Sequence, residues 1–458
     1  MRIQRTVFLI LCCLLLVFTA ACGSSGGGNA ADQDNGGSNN KQSSQNQGSN
    51  NDLAPVDEEI PEKDFDLGGR VIRWVSHYDE TIKADTPDGA KRLANLEELQ
   101  EKHNFKMEFI TIDLGEYQDK VVSSLIAGQP IGDLIRMMRG MMIPTLVKQD
   151  LFVPVEDLIT KKSIMVPDMF RYSEYNGVSY GFQNGIHASA RGVIYNKTLM
   201  NQLNLKPLQD YIDEDNWNWD TFLEVAKSAN QDTDNDGKID VWGLANLPFN
   251  FIMASNTGAN LVIDGKSGLE DPRTLEVLNF VHKIVTEQVV RPTEGGDWTE
   301  PFQFFLQGNT LMYFGADYEM DSINDNMADY EIGFLPSPKG PSATGYHGFV
   351  TNPSYMTIPK GVENPELIMY IYEKIFDIES IYDYPHQPGF ESRFKTPEDV
   401  QNARYSVEYV RLVETSDIVP NLPYWEIISD LDDGVSVSTI VEKYKAQVEA
   451  AVSALWGP

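Results

Sequence analysis

The sequence predicts an α/β fold in two lobes, and three observations carry that prediction. Strand-like and helix-like stretches alternate from Arg70 to Ile112 within about 45 residues, the βαβ order that builds a parallel sheet. About 390 residues follow a low-complexity N-terminal region, more than one domain ordinarily holds. Two of the 3 cysteines, Cys12 and Cys13, lie in an apolar N-terminal run, so the folded part must be held by burial without an internal disulfide.

The N-terminus reads as an export signal. Arg2 and Arg5 precede an uncharged apolar run from Val7 to Phe18, followed by the small residues Thr19, Ala20 and Ala21 and then Cys22. The run is shorter than the ~20 residues needed to span a bilayer. This order resembles the bacterial lipobox, with residues 1–21 removed and Cys22 acylated (a palmitate-bearing membrane anchor); Thr19 departs from the usual Leu. The alternative is an ordinary cleaved signal that leaves a soluble secreted chain. From Gly23 to Asp52, 24 of 30 residues are Gly, Ser, Asn or Gln. Such a stretch cannot offset its ordering entropy by burial. Residues 22–64 are therefore expected to form a tether with a reach of about 30 Å. Without the signal, 34 basic residues face 68 acidic ones, a formal charge of −34. That field repels nucleic acid and anionic lipid and fits a neutral or cationic ligand, unless a local basic pocket overrides it.

Folding is expected to begin near Phe65. Arg70–Ser76 (RVIRWVS) is rich in β-branched and aromatic residues and reads as a strand. Leu93, Leu96 and Leu99 recur at helical spacing between Pro87 and Asn104, and Phe105–Ile112 returns to strand character. The pattern continues with a helix at Tyr117–Ala127 and a strand at Asp133–Met137. Ligands of open parallel sheets bind beyond the carboxyl ends of the strands, which points to His77, Tyr78 and Asp79. At the C-terminus Ile440, Tyr444, Val448, Val452 and Leu455 lie near one helical stripe, a packing face.

The order KHNFKMEF, EYQDKVVSSLIAGQPIGDLIRM, LFVPVEDLI, YNGVSYGF, GVIYNKTLM, WNWDTF, FFLQGNTLMYFG and YMTIPK, from Lys102 to Lys360, resembles family 1 extracellular solute-binding proteins of bacterial ABC importers. The maltose-binding protein belongs to this group. The resemblance covers nearly everything from Leu67 to Leu455. It implies a two-lobed periplasmic-binding-protein-like fold of type II, with ligand in a cleft between lobes joined by hinge crossings. By analogy, 65–185 and 316–350 form the N-terminal lobe, and 186–315 and 351–458 the C-terminal lobe. It further implies a monomer that takes a sugar, foremost an oligosaccharide, at the extracellular face of the cytoplasmic membrane and delivers it to permease subunits.

The sharpest local motif is DTDNDGKID, with Asp232, Asp234, Asp236 and Asp240 at calcium-loop positions 1, 3, 5 and 9, Gly237 at 6, and the carbonyl of Lys238 at 7. Gly243 replaces the bidentate Glu of position 12, so any structural Ca²⁺ should bind weakly, about 10⁻⁴–10⁻³ M. An acidic turn without metal is the alternative. With 7 Trp, 20 Tyr and 21 Phe, most rings must be core. Trp74 reads as packing, and Trp217 and Trp219 as seating a helix start next to Asp220 and Thr221. From the resemblance and the strand-end rule, the ring candidates for the cleft are Tyr78, Phe182, Phe251, Tyr318, Tyr355 and Trp425. Their polar partners are His77, Asp79, Arg139 and Asp317.

The six His residues form no paired zinc spacing, and no nucleophile elbow, Walker loop or dinucleotide fingerprint is present. No catalytic cofactor is expected. A secreted glycoside hydrolase or lyase remains the enzymatic alternative, although nothing marks two carboxylates as an opposed pair. A ligand-sensing module for a membrane kinase would use the same cleft.

Overall fold

The computed structural model describes residues 59–184, 189–295, 297 and 299–457. The signal segment, Cys22 and nearly all of the tether lie outside the described residues. Strand β1 (Arg70–Ser76) leads into helix α1 (Pro87–His103), β2 (Phe105–Thr111), α2 (Leu114–Ile126) and β3 (Leu134–Met138). Helix α1 starts where the sequence provides a start. The Thr86 hydroxyl accepts from the Gly89 amide at 3.0 Å, Pro87 occupies the first turn, and Asn104 closes the helix in the left-handed region. β1 pairs in parallel with β2 from Arg70↔Phe105 to Ser76↔Thr111, and with β3 at Trp74↔Leu134. A later strand, Ser354–Thr357, closes the other edge of β3 antiparallel. Alternation along the strands serves two cores. Ile72, Trp74 and Leu134 face α1 and the helix Pro365–Phe376, while Val75, Ile135 and Met137 face α2.

The second sheet is built from β4 (Arg191–Asn196), β5 (Trp242–Leu244), β6 (Thr310–Ala316) and β7 (Ile332–Pro336), in the order β7-β4-β6-β5. β4 runs antiparallel to both β6 and β7, and β5 runs parallel to β6. The helix Trp219–Ala229 starts where expected, but its cap is Asn218 rather than Asp220, in a capping box with Thr221. Trp217 and Trp219 are buried beside it. Their indoles donate to the Pro336 carbonyl at 2.8 Å and the Ser255 hydroxyl at 3.0 Å. The final helix, Val437–Trp456, buries Ile440, Tyr444, Val448 and Val452 in the same core. Among the described residues no helix is long and apolar enough to cross a membrane.

The lobe boundaries differ from those expected by analogy. Ile332–Pro336 is an edge strand of the second sheet, and Gly348–Val350 pairs with Val410–Leu412 on the same lobe, so 316–350 does not belong to the first lobe. Conversely, Ser354–Thr357 and the helix Pro365–Phe376 complete the first lobe rather than the second. The reason is non-local. The free edge of β3 is satisfied by Ser354–Thr357, and no local signal distinguishes that buried strand from Ile332–Pro336. The chain therefore crosses between lobes at 184–190, 351–353 and about 377–386.

Candidate functional site

The three parallel strands of the first sheet end at Ser76, Thr111 and Met138, and the crossing strand enters beside Met138 at Ser354. Phe182 bridges to Met356, and the crossing from there leads to Arg191, which lies opposite Ala316 at the carboxyl end of β6. The first crossing therefore joins the carboxyl edges of the two sheets, and residues 351–353 keep the second-lobe strand Gly348–Val350 within about 14 Å of the end of β3. Ligands of such sheets sit at this edge.

A cavity of about 1120 Å³ opens there. Its first-lobe wall includes Tyr78, Glu80, Arg92, Arg136, Gln183 and Asn184. Tyr384, Pro385, His386, Val407 and Glu408 stand opposite. The floor is organised around Arg136, only 4% exposed. Its Nε donates to Glu80 Oε2 at 3.0 Å, a second guanidinium nitrogen reaches Glu80 Oε1, and Nη1 donates to Gln183 Oε1 at 2.8 Å. The Trp74 indole donates to the same carboxylate at 2.9 Å. Burial pulls the Arg136 pKa down, but the hydrogen bonds and charge of Glu80 outweigh it and hold it above the ordinary value. The Tyr78 ring lies 5.3 Å from this guanidinium, a cation–π contact, and remains 44% exposed. Burial raises the Tyr78 hydroxyl pKa, so the phenol stays neutral. Nothing in this arrangement activates a nucleophile. It presents a fixed aromatic face above a clasped charge.

The profile of bacterial extracellular solute-binding proteins matches residues 83–370. The chain belongs to this family. Solved structures agree with the assignment. UspC of M. tuberculosis is 14% identical, with 83% of this chain and 100% of that one aligned and a TM-score of 0.63. The ABC substrate-binding protein Lmo0181 from Listeria monocytogenes, solved with cycloalternan, is 16% identical over 85% and 99% of the chains, with a TM-score of 0.56. A cyclo/maltodextrin-binding protein complexed with maltotetraose is 17% identical over 84% and 97%, with a TM-score of 0.57. No curated protein matches by sequence. The fold is the type II two-lobed architecture of periplasmic binding proteins.

In this solute-binding protein Tyr78 and Asp79 line the cavity, while His77 lies behind them, its ring edge-on to Tyr78 and Tyr117. Burial, with the charge of Arg136, lowers the His77 pKa. Asp79 is held by Lys83 at 2.7 Å and caps the Thr81 amide at 3.0 Å, which keeps its carboxyl below the usual range. Tyr318, just past the carboxyl end of β6, and Trp425, at the start of the helix Tyr424–Asp432, are 53% and 65% exposed. Phe251 is half-buried between Phe314 and Phe349.

Four expected contact residues have internal partners instead. Phe182 and Tyr355 have no exposed surface, Phe182 packing edge-on against Tyr372 at 4.8 Å. Arg139 is buried between the Tyr172 carbonyl at 3.0 Å and Glu414 at 3.4 Å, a contact that joins the lobes. Asp317 is buried against Arg393 at 2.8 Å, and burial raises its pKa. Their apolar or ionic partners remove them from the surface a ligand could reach. Sequence reasoning missed Glu80, Arg92, Arg136, Gln183 and Asn184. One signal was available: Arg136 is a charge in the middle of the buried strand LIRMM.

In the acidic loop, Asp232, Asp234 and Asp240 offer carboxylate oxygens within 4.8 Å of one another. Asp236 stands outside that trio and accepts from the Lys238 amide at 2.8 Å. Gly237 takes φ +88°, the turn that position 6 requires, and its amide donates to Asp232 at 2.9 Å. Three converging hard oxygens fit Ca²⁺ better than a softer metal.

Proposed function

We propose that this protein is the lipid-anchored, extracellular solute-binding subunit of an ABC importer, which captures an oligosaccharide between its lobes by hinge closure and delivers it to a permease. The observation that carries the reading is the Tyr78 ring, held by the Arg136–Glu80 clasp at the carboxyl edge of the first sheet and facing a cavity of about 1120 Å³. Aromatic faces stack on the C–H surfaces of sugar rings at small entropic cost. The Tyr384 ring on the facing wall fits a ligand gripped from both sides, and Tyr318 and Trp425 are exposed rings outside the lining of that cavity. Such a ligand favours closure because it binds the closed state better than the open one. The cycloalternan and maltotetraose held by the two similar structures support a sugar.

Binding without chemistry is the reading that the family favours, with Cys22 as the anchor and the Asp232–Asp240 loop as a structural Ca²⁺ site. The acidic surface is consistent with a membrane contact made by acyl chains and the permease. A thermal-shift screen against oligosaccharides tests the reading. A ligand at 100 times its Kd should add about 2.7 kcal/mol to the native state. Release of shortened products on prolonged incubation would instead make the protein a carbohydrate-active enzyme.

A further inference from the structure

One side chain of the first lobe touches the roots of two crossings at once. Arg136 lies in β3 opposite Met356, and Met356 is bridged in turn to Phe182, so the chain leaves for the second lobe and returns from it side by side. The guanidinium reaches over both points. Its Nη1, which carries two N–H groups, donates to Gln183 Oε1 at 2.8 Å and makes a longer contact of 3.4 Å to the Ser354 carbonyl. Gln183 comes directly before the first crossing and Ser354 directly after the second. Pairing with Glu80 uses the other two nitrogens, Nε and Nη2, so neutralising the buried charge does not require the contacts of Nη1. The same guanidinium lies 5.3 Å from the Tyr78 ring, and Ser354 faces the Tyr78 hydroxyl. The ring offered to the ligand and the roots of both crossings therefore share one fixed group.

We propose that Arg136 is a positioning residue that couples occupation of the Tyr78 face to hinge closure by holding the roots of both crossings; this rests on the reading of the cavity as the ligand site. Hinge motion is absorbed by a few residues between rigid elements, so its course depends on what is pinned at each end. Phe182 and Met356 are pinned by two backbone hydrogen bonds to one another, at 3.0 and 2.9 Å, and the Asn184 amide donates to the Tyr372 hydroxyl at 3.2 Å. Arg136 ties this paired unit to Glu80 and Tyr78, beyond the end of β1. With that tie, a ligand stacked on Tyr78 bears on a wall that cannot shift relative to the hinge. Without it, the wall and the hinge move independently, and ligand contacts on the first lobe favour the closed form less. The planar fork of arginine serves Glu80 with two nitrogens and the crossings with the third. A lysine ammonium is a point charge that can meet Glu80 but cannot reach Gln183 and Ser354 in the same geometry.

The test uses the full chain in three variants, Arg136→Lys, Gln183→Leu and Gln183→Glu, with maltotetraose and cycloalternan as probes. In the free protein, hydrogen exchange of the Phe182, Asn184 and Met356 amides should speed up by about ten-fold or more in Arg136→Lys, because both roots lose a bond to a charged group. With a sugar that binds, saturated Arg136→Lys and Gln183→Leu should contract less than wild type in small-angle scattering. Their affinity should fall by about five-fold or more, whereas Gln183→Glu, which keeps the acceptor, should close as wild type does. The unliganded melting temperature separates a loosened hinge from a lost fold, and where Arg136→Lys unfolds, Gln183→Leu carries the test because it leaves the ion pair intact. Wild-type exchange at all three amides overturns the anchoring. Weakened affinity with full contraction of both saturated variants also overturns the coupling, since a mere ligand contact would give that result. If neither sugar binds, the oligosaccharide reading fails, while exchange at the two roots still decides the role of Arg136.

Discussion

Replacing Glu80 by glutamine should destabilise the first lobe by about 3 kcal/mol, the lower end of the range for breaking a buried ion pair. The magnitude follows from the surroundings of Arg136. Its side chain is 5% exposed, that of Glu80 13%, and two guanidinium nitrogens meet the two carboxylate oxygens. Glutamine keeps one acceptor for the guanidinium or for Trp74 but removes the charge. Glu80→Ala also orphans the Trp74 indole, 2.9 Å from the carboxylate, and should cost about 1–3 kcal/mol more. Urea denaturation followed by tryptophan fluorescence measures the loss, and a lobe of this size should melt roughly 6–12 °C lower for the glutamine variant. Removing both charges, as Glu80→Leu with Arg136→Met, should recover much of the stability, because the penalty comes from an uncompensated buried cation rather than from absent attraction. A Glu80→Gln protein within 1 kcal/mol of wild type by that measurement, or a double variant whose loss equals the sum of the two singles, would refute the clasp.

Tyr78→Ala and Trp425→Ala should each weaken binding of a verified ligand by about 1–3 kcal/mol, read by calorimetry, while the unliganded melting temperature moves little. If both retain full affinity, the site lies elsewhere. Asp232→Ala should lower the melting temperature in calcium but not in chelator, as for a site that binds only the native state; equal losses in both would exclude metal in the loop. Glu373, fully buried, has its pKa raised by burial, and one oxygen accepts from the Thr160 and Lys161 amides at 2.8 and 2.7 Å while the other has no partner. The native state therefore binds its proton more tightly than the unfolded chain, so its contribution is full below the ordinary glutamate pKa and is lost as pH rises through the raised value. Glu373→Gln keeps the acceptor and should flatten that loss, so the variant gains relative to wild type as pH rises above the ordinary glutamate pKa in paired denaturation curves; parallel curves would count against it.

Local signals were legible and non-local ones were not. Arg70–Ser76 and the start of α1 could be read because β-branched residues, a Thr cap and Pro87 act within a few positions of themselves. The strand-end rule reached Tyr78 and Asp79 because it needs only the end of one strand. It could not reach the opposite wall, Tyr384–His386, which carries no periodicity and lies about 300 residues away in sequence. Phe182 and Tyr355 show the limit for aromatic rings. An exposed binding ring and a buried core ring have the same composition, and only tertiary packing separates them. The swapped lobe segments have the same origin, since which free sheet edge a late strand will close is a property of the assembled fold.

The strand Ser354–Thr357 has a consequence for how the molecule comes into being. It completes the first sheet, yet it is separated from β3 by more than two hundred residues and by the whole of the second sheet. Until it emerges, β3 has an open edge of unpaired amides and carbonyls, a template for pairing with any other extended chain. Vectorial synthesis therefore cannot complete the N-terminal lobe first. A nascent chain of 350 residues would still lack that strand and the helix Pro365–Phe376 that covers Leu96 and Leu99. Such an order suits export in an unfolded state, because the lobe that begins the sequence is sealed only after nearly the entire polypeptide is available.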